Sequence, residues 1–82
     1  MSPRWPRVPA KRLVALLKRL GYEEVRQRGS HLKLRKIVKG RRHTIVIAVH
    51  SGRDLPPGYV GDVLKDVARR HEIPVEDLIN QL

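Results

Sequence analysis

Eighty-two residues are enough for one small domain with a modest core, and a hydrophobic share of 40% with three aromatics makes that core aliphatic. The absence of cysteine excludes disulfide staples and thiolate metal sites, and the longest apolar run, Ile45 to Val49, is far too short to cross a bilayer. The net charge of +10 is one-sided: residues 1–42 carry 14 Lys/Arg against 2 Glu, whereas residues 43–82 carry 4 Lys/Arg against 6 Asp/Glu. A polarised basic half predicts a polyanionic partner bound through counterion release. Nucleic acid fits better than solubility alone, with an acidic protein as the other reading. The opening MSPRWPRVPAKR has cations and prolines but no apolar segment, so no signal peptide and a cytoplasmic location are expected.

Residues 1–8, rich in Pro and Arg, are expected to be irregular, and a Trp5 folded back on the core would serve packing only. Ala10 to Leu20 reads as a helix. Leu13, Leu16, Leu17 and Leu20 recur at the spacing of one buried face, Pro9 suits the first turn, and Gly21 the stop. A strand over Tyr22 to Arg28 follows, then a Gly29-Ser30 hairpin turn in which Gly supplies positive φ. His31 to Val38 is the second strand. Alternation sends Leu32 and Leu34 to the core and His31, Lys33 and Arg35 to the opposite face. Lys39 to Arg42 reads as a basic turn, and residues 43–49, HTIVIAV, as the third strand, with Ile45, Ile47 and Val49 inward and Thr44, Val46 and Ala48 outward.

Ser51 to Gly58, SGRDLPPG, reads as a loop. A second helix follows with Val60, Val63, Leu64, Val67 and Ala68 on one face, ending at His71 or Glu72. A short helix restarts at Pro74, with Val75, Leu78, Ile79 and Leu82 apolar. The order α-β-β-β-α, with a small extra helix, defines an α+β domain over residues 1–82. Both main helices should cover one face of a three-stranded antiparallel sheet and leave the face of His31, Lys33 and Arg35 open.

Three roles suit His31: a solvated strand residue, a donor to phosphate, or a general acid/base. Histidine alone has an unperturbed pKa that lets it exchange protons near neutrality. RNA cleavage needs a base for the 2′-OH, an acid for the leaving 5′-oxygen and cations for the phosphorane. Lys33 and Arg35 share the face of His31, and Arg28 lies across the turn. His50 has outward parity if the third strand runs that far, which makes it a secondary candidate. His43, beside the basic turn, and His71, at a helix C-terminus, are given no catalytic role. No pair of histidines has metal-ligand spacing, and no phosphate-binding glycine loop occurs, so neither a metal nor a cofactor is expected. Few aromatics argue against a base-stacking sheet.

The segments LVALLKRLGYEEVRQRGSHLKLRK and TIVIAVHSGRDLPPGYVGDVLKDV resemble the HicA (YcfA-like) family of bacterial toxins. The resemblance runs from about Lys11 to the C-terminus. Its most specific parts are the order and spacing of LGY, RQRGSHLKLR, VH and DLPPG. It implies a fold similar to the double-stranded-RNA-binding domain, a ribosome-independent mRNA endonuclease, and a HicB-type antitoxin that blocks the active surface. The family's catalytic histidine lies in the Gly-Ser-His element, here Gly29-Ser30-His31. His31 is therefore the expected catalytic group, with Arg28, Gly29, Ser30, Lys33 and Arg35 around the phosphate. Many members carry a second His where this chain has Leu32. The family's His before the DLPPG-like loop corresponds to His50. The competing readings are a non-catalytic double-stranded-RNA-binding domain and a degenerate toxin kept as a regulatory protein.

Overall fold

The computed structural model describes residues 6–49 and 54–82. Its elements are α1 (Ala10–Arg19), β1 (Glu23–Arg28), β2 (His31–Val38), β3 (Arg41–Ala48), α2 (Pro57–His71) and α3 (Val75–Ile79). The strands form one antiparallel sheet in the order β1-β2-β3. The fold is α+β, as the alternation of helical and strand periodicities predicts.

The core is a single aliphatic layer between the sheet and the helices. Leu13, Leu16 and Leu17 of α1 and Val60, Leu64 and Val67 of α2 are buried against Leu32, Leu34, Ile45 and Ile47 of the sheet. Leu78 of α3 closes the layer. Both main helices therefore lie on one side, and β2 and β3 alternate buried and exposed along most of their length. Val8 lies in irregular chain but is buried, and its carbonyl accepts a hydrogen bond from the Leu55 N–H. Trp5 and His50 lie outside the described residues.

Several boundaries differ from the sequence reading. Helix α1 stops at Arg19 because Leu20 caps it and Gly21, at φ 101°, reverses the chain. The Tyr22 N–H then bonds to the Leu17 carbonyl and the Gly21 N–H to that of Lys18, the double closure of a Schellman motif. The basic turn is only Lys39-Gly40, both at positive φ, so β3 begins at Arg41. Two such residues suit the twist of a tight hairpin, and no longer turn is needed. Helix α2 starts at Pro57, inside the expected loop, because a proline at the first helical position forfeits no hydrogen bond.

Strand β1 departs from simple alternation. Glu24 pairs with Leu34 but Arg26 pairs with Lys33, so Val25 is an extra residue, a β-bulge. Tyr22 is buried on the helix side. Uninterrupted alternation from Tyr22 would point Arg26 and Arg28 to that same side. The bulge instead aligns Arg28 with His31 and Arg26 with Lys33.

Candidate functional site

The open face of the sheet is built around the β1–β2 hairpin. Gly29 has φ 54° and Ser30 does not share its positive φ, the pattern of a two-residue turn that demands Gly first. Space is not the reason for the glycine, since a Cβ there would meet nothing within 4 Å. Ser30 is half-buried, and its carbonyl accepts the Val49 N–H at 2.6 Å, which ties the turn to the end of β3. Gly29 and Ser30 thus fix the backbone that carries Arg28 and His31 as directly paired residues.

Arg26, Arg28, His31, Lys33 and Val46 line a shallow cavity of about 180 Å³ on this face. All five are exposed. Among the described residues the ring of His31 makes no hydrogen bond, and none of Arg26, Arg28, Lys33 and Arg35 forms an ion pair. Arg35 continues the β2 row opposite Thr44, outside that cavity. It lines a neighbouring hollow with Glu23, Lys36, Ile37 and Arg42. The structure therefore brings His31 together with Arg28 and Lys33 and leaves Arg35 one step along the strand. Arg26 was missed by sequence reasoning, because only the Val25 bulge turns it outward. The outward parity of Val46 was legible, but its place beside His31 required the register Lys33 opposite Val46.

The other described histidines are occupied elsewhere. His43, near the basic turn, is buried: it shares the inward parity of Ile45 and Ile47, a signal present in the sequence. Its Nδ1 meets the Tyr22 hydroxyl at 2.6 Å and its Nε2 meets Asp66 Oδ2 at 2.7 Å. A carboxylate only accepts, so Nε2–H donates to Asp66 and the Tyr22 hydroxyl donates to Nδ1. Burial, then the charge of Asp66, pushes the Tyr22 hydroxyl up to about 12 despite the opposing effect of Arg70. Burial pushes the Asp66 carboxyl up, but hydrogen bonds from His43 and Arg69 and the charge of Arg69 outweigh it and hold the group below its ordinary value. His71 Nδ1 bonds to the Val67 carbonyl at 2.8 Å, leaving Nε2 to accept from Lys36 Nζ at 3.0 Å. This polar cluster pins the sheet to α2 on the side away from His31. No three His, Asp or Glu side chains gather as metal ligands among the described residues.

The chain is a small α+β domain with a covered sheet face and an open cationic one, which holds a single unengaged histidine among its described residues. The family model described as the HicA toxin of bacterial toxin-antitoxin matches residues 10–68, most of the chain. The chain belongs to that family, and its three-stranded sheet with flanking helices is the family's fold, similar to the double-stranded-RNA-binding domain. No curated protein and no solved structure matches it. Among the described residues, no helix is long and apolar enough to cross a membrane.

Proposed function

We propose that this toxin-family chain is a metal-independent endoribonuclease that cleaves mRNA, with His31 as general acid/base. The observation that carries the reading is the cavity in which the unengaged His31 ring stands among Arg26, Arg28 and Lys33. In this reaction the RNA 2′-OH attacks the adjacent phosphorus and the bond to the 5′-oxygen breaks. The products are a 2′,3′-cyclic phosphate and a free 5′-hydroxyl. His31 exchanges a proton at one of these two oxygens, and water at the open face exchanges the other. Arg28 and Lys33, flanking His31 across and along the sheet, hold the phosphate and the charge that develops on its equatorial oxygens. A positioned acid/base supplies about 10²–10⁴-fold in rate. A HicB-type antitoxin is the expected partner, and covering the cationic face with a complementary acidic surface would both neutralise and occlude it.

The test is cleavage of an unstructured mRNA in EDTA by the purified chain and by His31→Ala. The reading expects product ends with cyclic phosphate and a loss of at least about 10²-fold in the variant. Wild-type cleavage by His31→Ala would sink the assignment of His31, and metal-dependent 5′-phosphate ends would sink the mechanism. RNA left intact by the wild-type chain yet bound with a steep salt dependence would favour the non-catalytic binder instead.

A further inference from the structure

The open face is chemically two-sided. Around His31 its cations stand on β1 and β2: Arg28 beside His31, Arg26 beside Lys33, then Arg35 opposite Glu23, with Arg42 of β3 joining Arg35 only at the far end. The β3 residues across from them are Ala48, Val46 and Thr44, all uncharged. Val46 is 45% exposed, one of the few large hydrophobic residues left in solvent. Along β2, alternate side chains repeat every ~6.6 Å, a step close to the separation of phosphates in an extended nucleic-acid strand. His31, Lys33 and Arg35 thus offer a row of contacts in register with one backbone, whereas β3 offers a single cation, Arg42, beyond the uncharged Ala48, Val46 and Thr44 and so no second row for another.

The outer edge of β3 is also blocked. The Tyr59 hydroxyl donates to the Val46 carbonyl at 2.6 Å and itself accepts from the Ala48 backbone N–H. Those groups are the ones a fourth strand would pair with beside the cavity. A partner at this spot is therefore met by the face of the sheet and not by its edge.

From this asymmetry we infer that the site takes a single unpaired RNA strand, with its phosphates over β1 and β2 and its bases lying on the apolar strip of β3 centred on Val46. A duplex would place its second phosphate row over Thr44, Val46 and Ala48, where no cation meets it, and would keep its base faces stacked away from Val46. An unpaired strand satisfies both halves of the surface. This rests on the reading of the face as an RNA site but not on cleavage there.

The experiment uses a 2′-O-methyl RNA of mixed sequence, which binds without being cut, as a single strand and annealed to its complement. The single strand should bind at least about tenfold tighter than the duplex. Val46→Thr, nearly isosteric and on an exposed position, should weaken single-strand binding by on the order of fivefold, the worth of about one buried methylene. Its salt slope should stay unchanged, because it removes no phosphate contact. Arg26→Gln should instead flatten the slope. Equal or tighter duplex binding overturns the proposal, as does single-strand binding indifferent to Val46→Thr. Unmodified RNA is assayed for cleavage in parallel. Preference for the single strand without any cleavage sustains this inference while removing the nuclease reading. Cleavage with no strand preference does the reverse.

Discussion

Arg28 and His31 stand directly opposite each other as the closing pair of the β1–β2 hairpin, both exposed, joined only by Gly29 and Ser30. Their relative position depends on a turn whose first residue sits at φ 54°. Gly29→Ala should therefore cost about 1–2 kcal/mol, since an L-residue is strained in that region. Cleavage should fall beyond what the lost stability explains, because the strained turn shifts Arg28 and His31 apart. Thermal melts set beside single-turnover rates at a temperature where the variant is fully folded check both parts.

The cations of the open face should act on affinity through salt. For single-stranded RNA, each phosphate contact contributes about 0.7 to the slope of log affinity against log salt. Lys33→Gln and Arg35→Gln should each reduce the magnitude of the slope by about that amount. Lys33→Gln should also slow the chemical step, as Lys33 lines the His31 cavity and Arg35 does not. Titrations with uncleavable RNA at several salt concentrations, with rates on cleavable RNA, separate the two residues.

The Tyr22–His43–Asp66 chain, buried at Tyr22 and His43 and half-buried at Asp66, should make stability fall at both ends of the pH scale. Tyr22 is raised to about 12 in the folded chain from an ordinary value of 10.0. Its contribution is whole below the unfolded value and is lost as pH climbs from about 10 to about 12. Asp66 is lowered from 3.8, so its contribution is present above that value and is lost as pH falls through the folded pKa. Tyr22→Phe leaves His43 Nδ1 without its donor and should cost about 1–3 kcal/mol near neutrality while removing the Tyr22 part of the alkaline loss. Asp66→Asn should flatten the acid limb. Urea midpoints measured across pH for the three proteins test the signs.

The β2–β3 turn has room for improvement. Lys39 is at φ 50° and Gly40 at φ 79°, and such a turn favours Asn at its first position. The ion pair of Lys39 with Glu72, at 3.0 Å, is exposed on both sides and worth little. Lys39→Asn should therefore raise stability by about 0.5–1 kcal/mol. The turn lies at the far end of β2 from His31, so cleavage should be unchanged. A denaturation curve and one rate measurement decide it.

The type and order of the elements, and the split of β2 into buried Leu32 and Leu34 and exposed His31, Lys33 and Arg35, were legible in the sequence. So was the glycine at the hairpin. Each is a matter of local periodicity or of the backbone preference of one residue, and those act over a few positions. The bulge at Val25 was not legible: nothing local distinguishes an extra residue from one more alternation, and while the two-residue turn already set Arg28 across from His31, only the paired register of β2 shows that Arg26 turns outward. The fate of His43 was half legible, since its parity pointed inward. What makes a buried histidine tolerable there comes from Tyr22, before β1, and Asp66, in α2. The sequence by itself determined which strand carries the histidine and which way it faces. Tertiary structure alone decided that Arg26 joins Arg28 and Lys33 around it, that Arg35 falls outside that cavity, that Val46 lies beside them, and that Tyr59 closes the edge, because these depend on contacts between residues far apart in the chain.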